Sequence, residues 1–347
     1  MKPGYFLAQF RKTIVLRKTG TGLFLTLILQ NRIPISEPMN LRRVLLPSAL
    51  FCVAASTLHA ADSKSPFTDD LDAARAKARE NHKDVLVDFT GSDWCGFCIA
   101  LDKEVFHERS FKKEAEKSFE LVQLDFPHDK TKQTPEAAAR NKQWKSELKS
   151  RSFPDILLLD EKGTVYATTG YREGGANAFL PHLESLRQRR IQRDAALEKA
   201  ATAAGIEKAR HLYAALTALR SDEVCLTYYR PTIQEIMSLD PKNEAGVKAQ
   251  CELILKREQC GREIMSLCQE KDGAAMLVKL KEYANKSDIP VESRQYALYM
   301  AGAMACERKL RDYRQALELI DQAIAVAPDS PLVEERLNEA KKRLKRR

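Results

Sequence analysis

The stretch from Asp84 to Phe106, DVLVDFTGSDWCGFCIALDKEVF, sets a buried strand, a tight loop and a helix one after another. Val85, Leu86, Val87 and Phe89 form a short apolar run of the kind found in a strand covered on both faces, interrupted by Asp88. Gly91-Ser92-Asp93 signals a turn, and from Ile99 onward the apolar positions Leu101, Val105 and Phe106 recur at helical spacing. Trp94-Cys95-Gly96-Phe97-Cys98 therefore falls where the loop becomes a helix.

That placement gives each sulfur a role. Unpaired N–H groups and the helix dipole favour an anion at Cys95, which is thereby expected to be a stabilised thiolate and the nucleophile. Cys98, three residues on along the same helical face, can attack a mixed disulfide at Cys95 and release the reduced substrate. Gly96 lets a partner backbone come close, and Trp94 offers a flat apolar platform. Zinc sites use the same C-x-x-C spacing but need two further ligands. The other cysteines, Cys52, Cys225, Cys251, Cys260, Cys268 and Cys306, contain no second close pair. Redox chemistry is the favoured reading, with a zinc site and a structural pair as its alternatives.

The segment VDFTGSDWCGFC resembles the VDFWAxWCGPC signature of thioredoxins, and more closely the GSDWCGWC form of exported thioredoxin-like proteins of the thiol:disulfide interchange type. The likeness covers roughly residues 65 to 188. It implies an α/β thioredoxin-like fold, a central mixed sheet flanked by helices. It implies that Asp88 is the buried acid relaying a proton to the resolving cysteine. It also implies that Pro154, in Ser152-Phe153-Pro154-Asp155, is the cis-proline that faces the sulfurs and helps hold substrate backbone. Trp94, Gly96, Phe97, Phe153 and Pro154 are thus the expected substrate-binding residues. Three positions depart from the family pattern: Phe97 replaces a proline, Asp155 replaces a threonine, and no lysine in 121–126 matches the one that partners the buried aspartate.

Around this centre, Thr68 or Asp69 is expected to cap a helix reaching about Glu80, with Leu71, Ala74 and Ala78 facing inward. Phe119 to Phe126 reads as the next strand. A polar insert, Pro127 to Ser152, contains a helix from about Pro135 to Leu148. Ile156–Leu159 and Thr164–Thr168, joined by Asp160-Glu161-Lys162-Gly163, read as a hairpin with Gly163 at positive φ. Ala176 to Arg187 gives a closing helix. Arg187, Arg189, Arg190 and Arg193 then read as a solvated basic patch, with an anionic-lipid or partner site as the alternative. The histidines suggest no constellation; His107 and His128 are expected at the surface.

The 347 residues suffice for two domains, and the formal charge of +9 is misleading. Residues 1–60 hold 8 basic residues and 1 acid, leaving 49 basic against 47 acidic from position 61 on, a net of +2. Nucleic-acid binding thereby loses its main support. Residues 1–60 are read as a leader: Arg42 and Arg43, the apolar run Val44 to Ala55 and Leu58-His59-Ala60 form a secretory signal, with Met39 as the start. Export, to a bacterial periplasm, is the expectation, an uncleaved anchor the alternative.

Residues 61–188 are assigned to the thioredoxin-like domain and 189–347 to an all-α, tetratricopeptide-like domain. In that second half Tyr313, Ala316, Ile320, Ala323 and Pro328 have the spacing of a repeat's second helix, echoed by Ile236 to Pro241. Ala297 to Lys309 supplies the first helix. Its five cysteines read as buried small hydrophobes, with a disulfide among Cys251, Cys260 and Cys268 as the competing reading. The sequence thus points to an exported thiol:disulfide oxidoreductase acting on protein thiols and disulfides. It needs no cofactor beyond the Cys95–Cys98 disulfide, and exchanges electrons with a membrane or periplasmic redox partner. Its helical half would hold protein. An adaptor or chaperone-like protein, or an oxidase or isomerase of the same fold, are the alternatives.

Overall fold

The computed structural model describes residues 65–306, 310–330 and 332–346. The expected signal at 39–60, with Met39 and Cys52, lies outside them.

The first half is built on four strands: β1 (Asp84–Thr90), β2 (Phe119–Asp125), β3 (Asp155–Leu159) and β4 (Val165–Thr169). They form one mixed sheet in the order β2-β1-β3-β4. β1 runs parallel to β2 and antiparallel to β3, and all seven of its residues are buried. Leu86 packs with Ile156, Leu158, Phe111 and Phe179 on one face. Val85, Val87 and Phe89 pack with Leu71, Ala78 and Trp144 on the other. A strand apolar at consecutive positions is what burial on both faces demands.

Helix α1 (Leu71–Asn81) is capped by Asp70, whose carboxylate accepts from the Ala73 amide; the Thr68 or Asp69 cap is corrected. Thr68 is instead drawn into a bridge with Val122 at the sheet edge. Helix α2 (Gly96–Leu101) continues through a π-turn, Asp102–Phe106, and is followed by α3 (Arg109–Ala115). The insert carries α4 (Pro135–Glu147), capped by Thr134. The hairpin turn has Gly163 at φ 87°, in the left-handed region that favours glycine.

The closing helix, α5 (Gly175–Thr202), runs 28 residues instead of stopping near Arg187, so position 188 falls in mid-helix. Nor are its arginines a solvated patch. Arg187 and Arg190 each lie 3.3 Å from a carboxylate oxygen of Asp84, which also accepts from the Tyr166 hydroxyl. Arg193, only 3% exposed, pairs with Asp160 at 2.7 Å and donates to the Tyr229 hydroxyl at 2.6 Å. Three cations at i, i+3 and i+6 share a helix face, and that face lies against two buried acids, Asp84 of β1 and Asp160 of the β3–β4 turn.

The second half is helical: α6 (Gly205–Leu219), α7 (Asp222–Tyr228), α8 (Arg230–Leu239), α9 (Val247–Leu267), α10 (Gly273–Ala284), α11 (Val291–Ala305), α12 (Tyr313–Val326) and α13 (Asn338–Leu344). One apolar cluster is continuous from Leu86 and Phe179 through Ala209 and Ile233 to Cys251 and Ile254. A second begins farther along α9, at Cys260 and Ile264, and takes in α10 to α12. Helices α11 and α12 are antiparallel: Gly302 faces Ala316 and Ile320, while the buried Gln295 amide donates to the Ala323 and Ala327 carbonyls. α11 starts six residues before the expected Ala297.

The disulfide weighed among Cys251, Cys260 and Cys268 is not formed; all three are free thiols, as is Cys225. Cys251 and Cys260 share α9, and nine residues of helix separate them by about 13 Å, beyond the Cα reach of a disulfide.

Candidate active site

Cys95 and Cys98 are joined as a disulfide, with Cα atoms 5.2 Å apart. Cys95 is the N-cap of α2, and the Cys98 amide donates to its sulfur at 3.3 Å. The loop before it closes through the Trp94 and Cys95 amides onto the Gly91 carbonyl. A Cβ on Gly91 would lie 2.5 Å from the Trp94 indole, so glycine here is what lets the ring lie down on the backbone. The indole N–H donates to the Phe126 carbonyl at 2.8 Å. Nothing within 4 Å would meet a Cβ on Gly96, so that backbone lies open to an approaching chain. Phe97 is 46% exposed, its ring 5.6 Å from that of Tyr171.

Asp88 faces inward, 1% exposed. Its Oδ2 accepts from the Gln123 side-chain amide at 3.1 Å, and its Oδ1 has no hydrogen-bond partner among the described residues. Burial pushes this carboxyl up to about 7; the Gln123 bond opposes the shift, and Asp102, Asp155 and Asp125 add to it. Gln123 is Asp88's direct partner in the β1/β2 register. A neutral amide thus stands beside the acid.

The Phe153–Pro154 peptide is cis. Asp155, at the start of β3, pairs with Phe89 near the end of β1, so the proline loop and the cysteine loop leave the same end of the sheet. They meet through side chains: the Phe153 ring lies edge-on to Trp94 and to Phe126, each at 5.3 Å. Asp155 turns back on its own loop, accepting from the Arg151 amide at 3.1 Å, and burial raises its carboxyl.

Trp94 and Phe153 bring the cysteine segment and the Pro154 loop together, while Gly96 and Phe97 stand open and Asp88 is buried in β1. Sequence reasoning missed three neighbours. His128, expected merely at the surface, stacks on Trp94 at 4.8 Å with rings 7° from parallel. Asp93 fixes that segment by accepting from the His128 and Asp129 amides, both at 2.9 Å. Gln123 needed the strand register, and Lys145, whose ammonium lies 4.3 Å from the Phe153 ring centroid, needed the docking of α4. None of the three carries a local signal.

A mixed sheet whose central strand leads into a C-x-x-C helix, beside a strand headed by a cis-proline, defines a thioredoxin-like domain. Residues 71–186 match the family model of that description, and this part of the chain is such a domain. The chain is 32% identical over 108 residues to disulfide bond reductase DsbH of Chlamydia pneumoniae, a match covering 31% of this chain and 64% of that protein. It is 28% identical over 138 residues to thioredoxin-related protein DsbJ of the same organism, covering 38% and 39%. A solved DsbH oxidoreductase is 28% identical, with a TM-score of 0.33, over 35% of this chain and 83% of that one. The chain spans less than two thirds of the length of these curated relatives.

Proposed function

We propose that the protein is an exported thiol:disulfide oxidoreductase that reduces or exchanges disulfides in protein substrates. The observation that carries this reading is the Cys95–Cys98 pair at the start of α2, with the Cys98 amide on the Cys95 sulfur. Reduced, Cys95 gains from that N–H and from the helix start as a thiolate. It attacks one sulfur of a substrate disulfide; a Cys95–substrate bond forms and the other substrate sulfur leaves as thiolate. Cys98, its proton taken by Asp88, then attacks Cys95, closing the Cys95–Cys98 disulfide and releasing the second substrate thiol. Two electrons have passed to the substrate.

An external dithiol, in a membrane or periplasmic redox protein, must return those electrons. No metal or organic cofactor enters the cycle. Trp94, Gly96, Phe97, Phe153 and Pro154 form the surface on which the substrate backbone is laid. The relatives' names, disulfide bond reductase and thioredoxin-related protein, support the same chemistry. Export is supported by the signal-like segment at 39–60. The helical half, with its tetratricopeptide-like spacing, would bind protein.

Trapping tests the reading. The purified Cys98→Ser protein should accumulate mixed disulfides at Cys95 with a denatured, disulfide-bonded protein, and the Cys95→Ser protein should not. Equilibration in thiol buffers then gives the direction: a potential near about −270 mV marks a reductase and one near about −120 mV an oxidant. A pair that cannot be cycled leaves the adaptor reading in its place.

A further inference from the structure

We propose that Lys145 and Tyr228 are positioning residues for polypeptide substrates, together clamping residues 148–155 so that the Phe153–Pro154 loop keeps its place beside Trp94. The proposal rests on the thiol–disulfide reading above.

The first clamp comes from the insert. Lys145, in the last turn of α4, donates from Nζ to the Ser150 carbonyl at 3.0 Å and to the Ser150 hydroxyl at 3.1 Å. The same ammonium lies 4.3, 5.6 and 5.8 Å from the ring centroids of Phe153, Phe89 and Phe126. A half-buried cation over three ring faces gains attraction from each, and Phe153 immediately precedes the cis-proline. The Asp155 carboxyl holds the Arg151 amide at 3.1 Å. Lys145 and Asp155 thus tie down adjacent residues of the loop, Ser150 and Arg151.

The second clamp comes from the helical half. The Tyr228 hydroxyl, on α7, donates to the Leu148 carbonyl at 2.6 Å, and Lys149 Nζ donates back to the Thr227 carbonyl at 2.9 Å. Lys149 itself has φ 52°, a left-handed conformation that a non-glycine residue holds only when its surroundings fix it. The Tyr228 ring packs against the same apolar cluster as Phe153 and Phe126. Helix α7 therefore holds the chain where it leaves α4, at Leu148 and Lys149, which ties the helical half to the segment that leads into the Phe153–Pro154 loop.

Lys145 reaches the Ser150 carbonyl and hydroxyl and the aromatic rings, and Tyr228 reaches the Leu148 carbonyl. Loosening them should displace the Phe153–Pro154 backbone and leave the thiol chemistry of Cys95 and Cys98 in place. A misplacement of about an ångström is enough to cost orders of magnitude when a substrate is held by backbone.

The test compares wild type, Lys145→Met, Lys145→Arg and Tyr228→Phe on two disulfides: insulin, turned over with dithiothreitol as electron donor, and 5,5′-dithiobis(2-nitrobenzoate), reacted in a single turnover with pre-reduced protein freed of dithiothreitol. On insulin, kcat/KM should fall about tenfold in Lys145→Met and about threefold in Tyr228→Phe, chiefly through KM. The small disulfide should react within about twofold of wild type, the Cys95/Cys98 potential should stay put, and Lys145→Arg should recover most of the insulin activity. Equal losses on both disulfides, or a shifted potential, would overturn the proposal, because the residues would then act on the sulfurs. Unchanged insulin kinetics in both Lys145→Met and Tyr228→Phe would overturn it as well. Tyr228→Phe removes one oxygen and keeps the ring, so it remains informative should Lys145→Met fold poorly. Wild type that exchanges with the small disulfide but never with insulin would overturn the clamp and spare the thiol chemistry; wild type inert to both would overturn the parent reading.

Discussion

The Asp88 carboxylate and the Gln123 amide face each other across the β1/β2 pair at 3.1 Å. Burial holds the acid near 7, so the folded protein binds its proton more tightly than the unfolded chain does. Stability attributable to this group is therefore full below about pH 4 and declines as pH rises towards 7. The rise from 3.8 to about 7 corresponds to roughly 4 kcal/mol at ~1.4 kcal/mol per pKa unit. Oxidised Asp88→Asn protein should gain on wild type by a few kcal/mol between pH 4 and pH 8. Urea midpoints at the two pH values check this; a pH-independent difference would place the acid in an ordinary environment.

Arg193 is held between Asp160 of the β3–β4 turn and Tyr229 of the helical half, and both it and Asp160 are nearly inaccessible. Removing one partner of a buried pair strands the other, which typically costs about 3–5 kcal/mol. Arg193→Met should lose stability on that order. The loss should appear as one cooperative transition, because the apolar cluster runs unbroken from Leu86 to Ile254. Chemical denaturation followed by both circular dichroism and tryptophan fluorescence measures the loss and the coincidence together.

That arginine also shows where sequence reading stops. The strand, loop and helix around Cys95 were legible because their signals are local: a run of apolar residues, a turn, a helical period. The Gly163 turn was legible for the same reason. The sequence displays Arg193's charge and its helical neighbours, Asp194 among them, whereas the buried acid it meets, Asp160, lies 33 positions away. Arg187 meets Asp84 across 103 positions. The change in composition after Leu186 marks no end to α5, because the residues beyond it, such as Gln188 and Ala195, continue a helix without penalty. At the site, Gln123, His128 and Lys145 became neighbours of Asp88, Trp94 and Phe153 only through strand register and the docking of the insert.

Cys225 and Cys251 should behave as core residues and not as a second redox pair. Burial pushes their thiols up to about 12 and about 11, which leaves almost no thiolate at neutral pH. Native protein treated with iodoacetamide should remain unmodified at both positions by mass spectrometry, and denatured protein should react at both.

In α11, a Cβ on Gly302 would lie 3.2 Å from Ile320 Cδ1 and 3.3 Å from the Ala316 carbonyl. Alanine demands a shift of only tenths of an ångström, while a branched side chain overpacks the contact with α12. Gly302→Val should therefore cost about 1–3 kcal/mol, against a much smaller change for Gly302→Ala. Thermal melts of the two variants against wild type make the comparison.

Gly91 sets the attitude of Trp94, and so ties the turn to the proposed substrate face. A Cβ there would lie 2.5 Å from the indole, closer than any contact a real side chain tolerates, so Gly91→Ala must lift the ring. Lifting it breaks the indole bond to the Phe126 carbonyl and parts the ring from His128 and Phe153. The loss should amount to about 1–3 kcal/mol of stability, the ordinary cost of overpacking. Because the displaced ring is the one that joins the cysteine loop to the cis-proline loop, insulin reduction should fall further than reaction with a small disulfide. Trp94 fluorescence, read in a Trp144→Phe background, should report the altered environment. Unchanged emission together with wild-type insulin turnover would mean that the indole does not depend on Gly91 for its place.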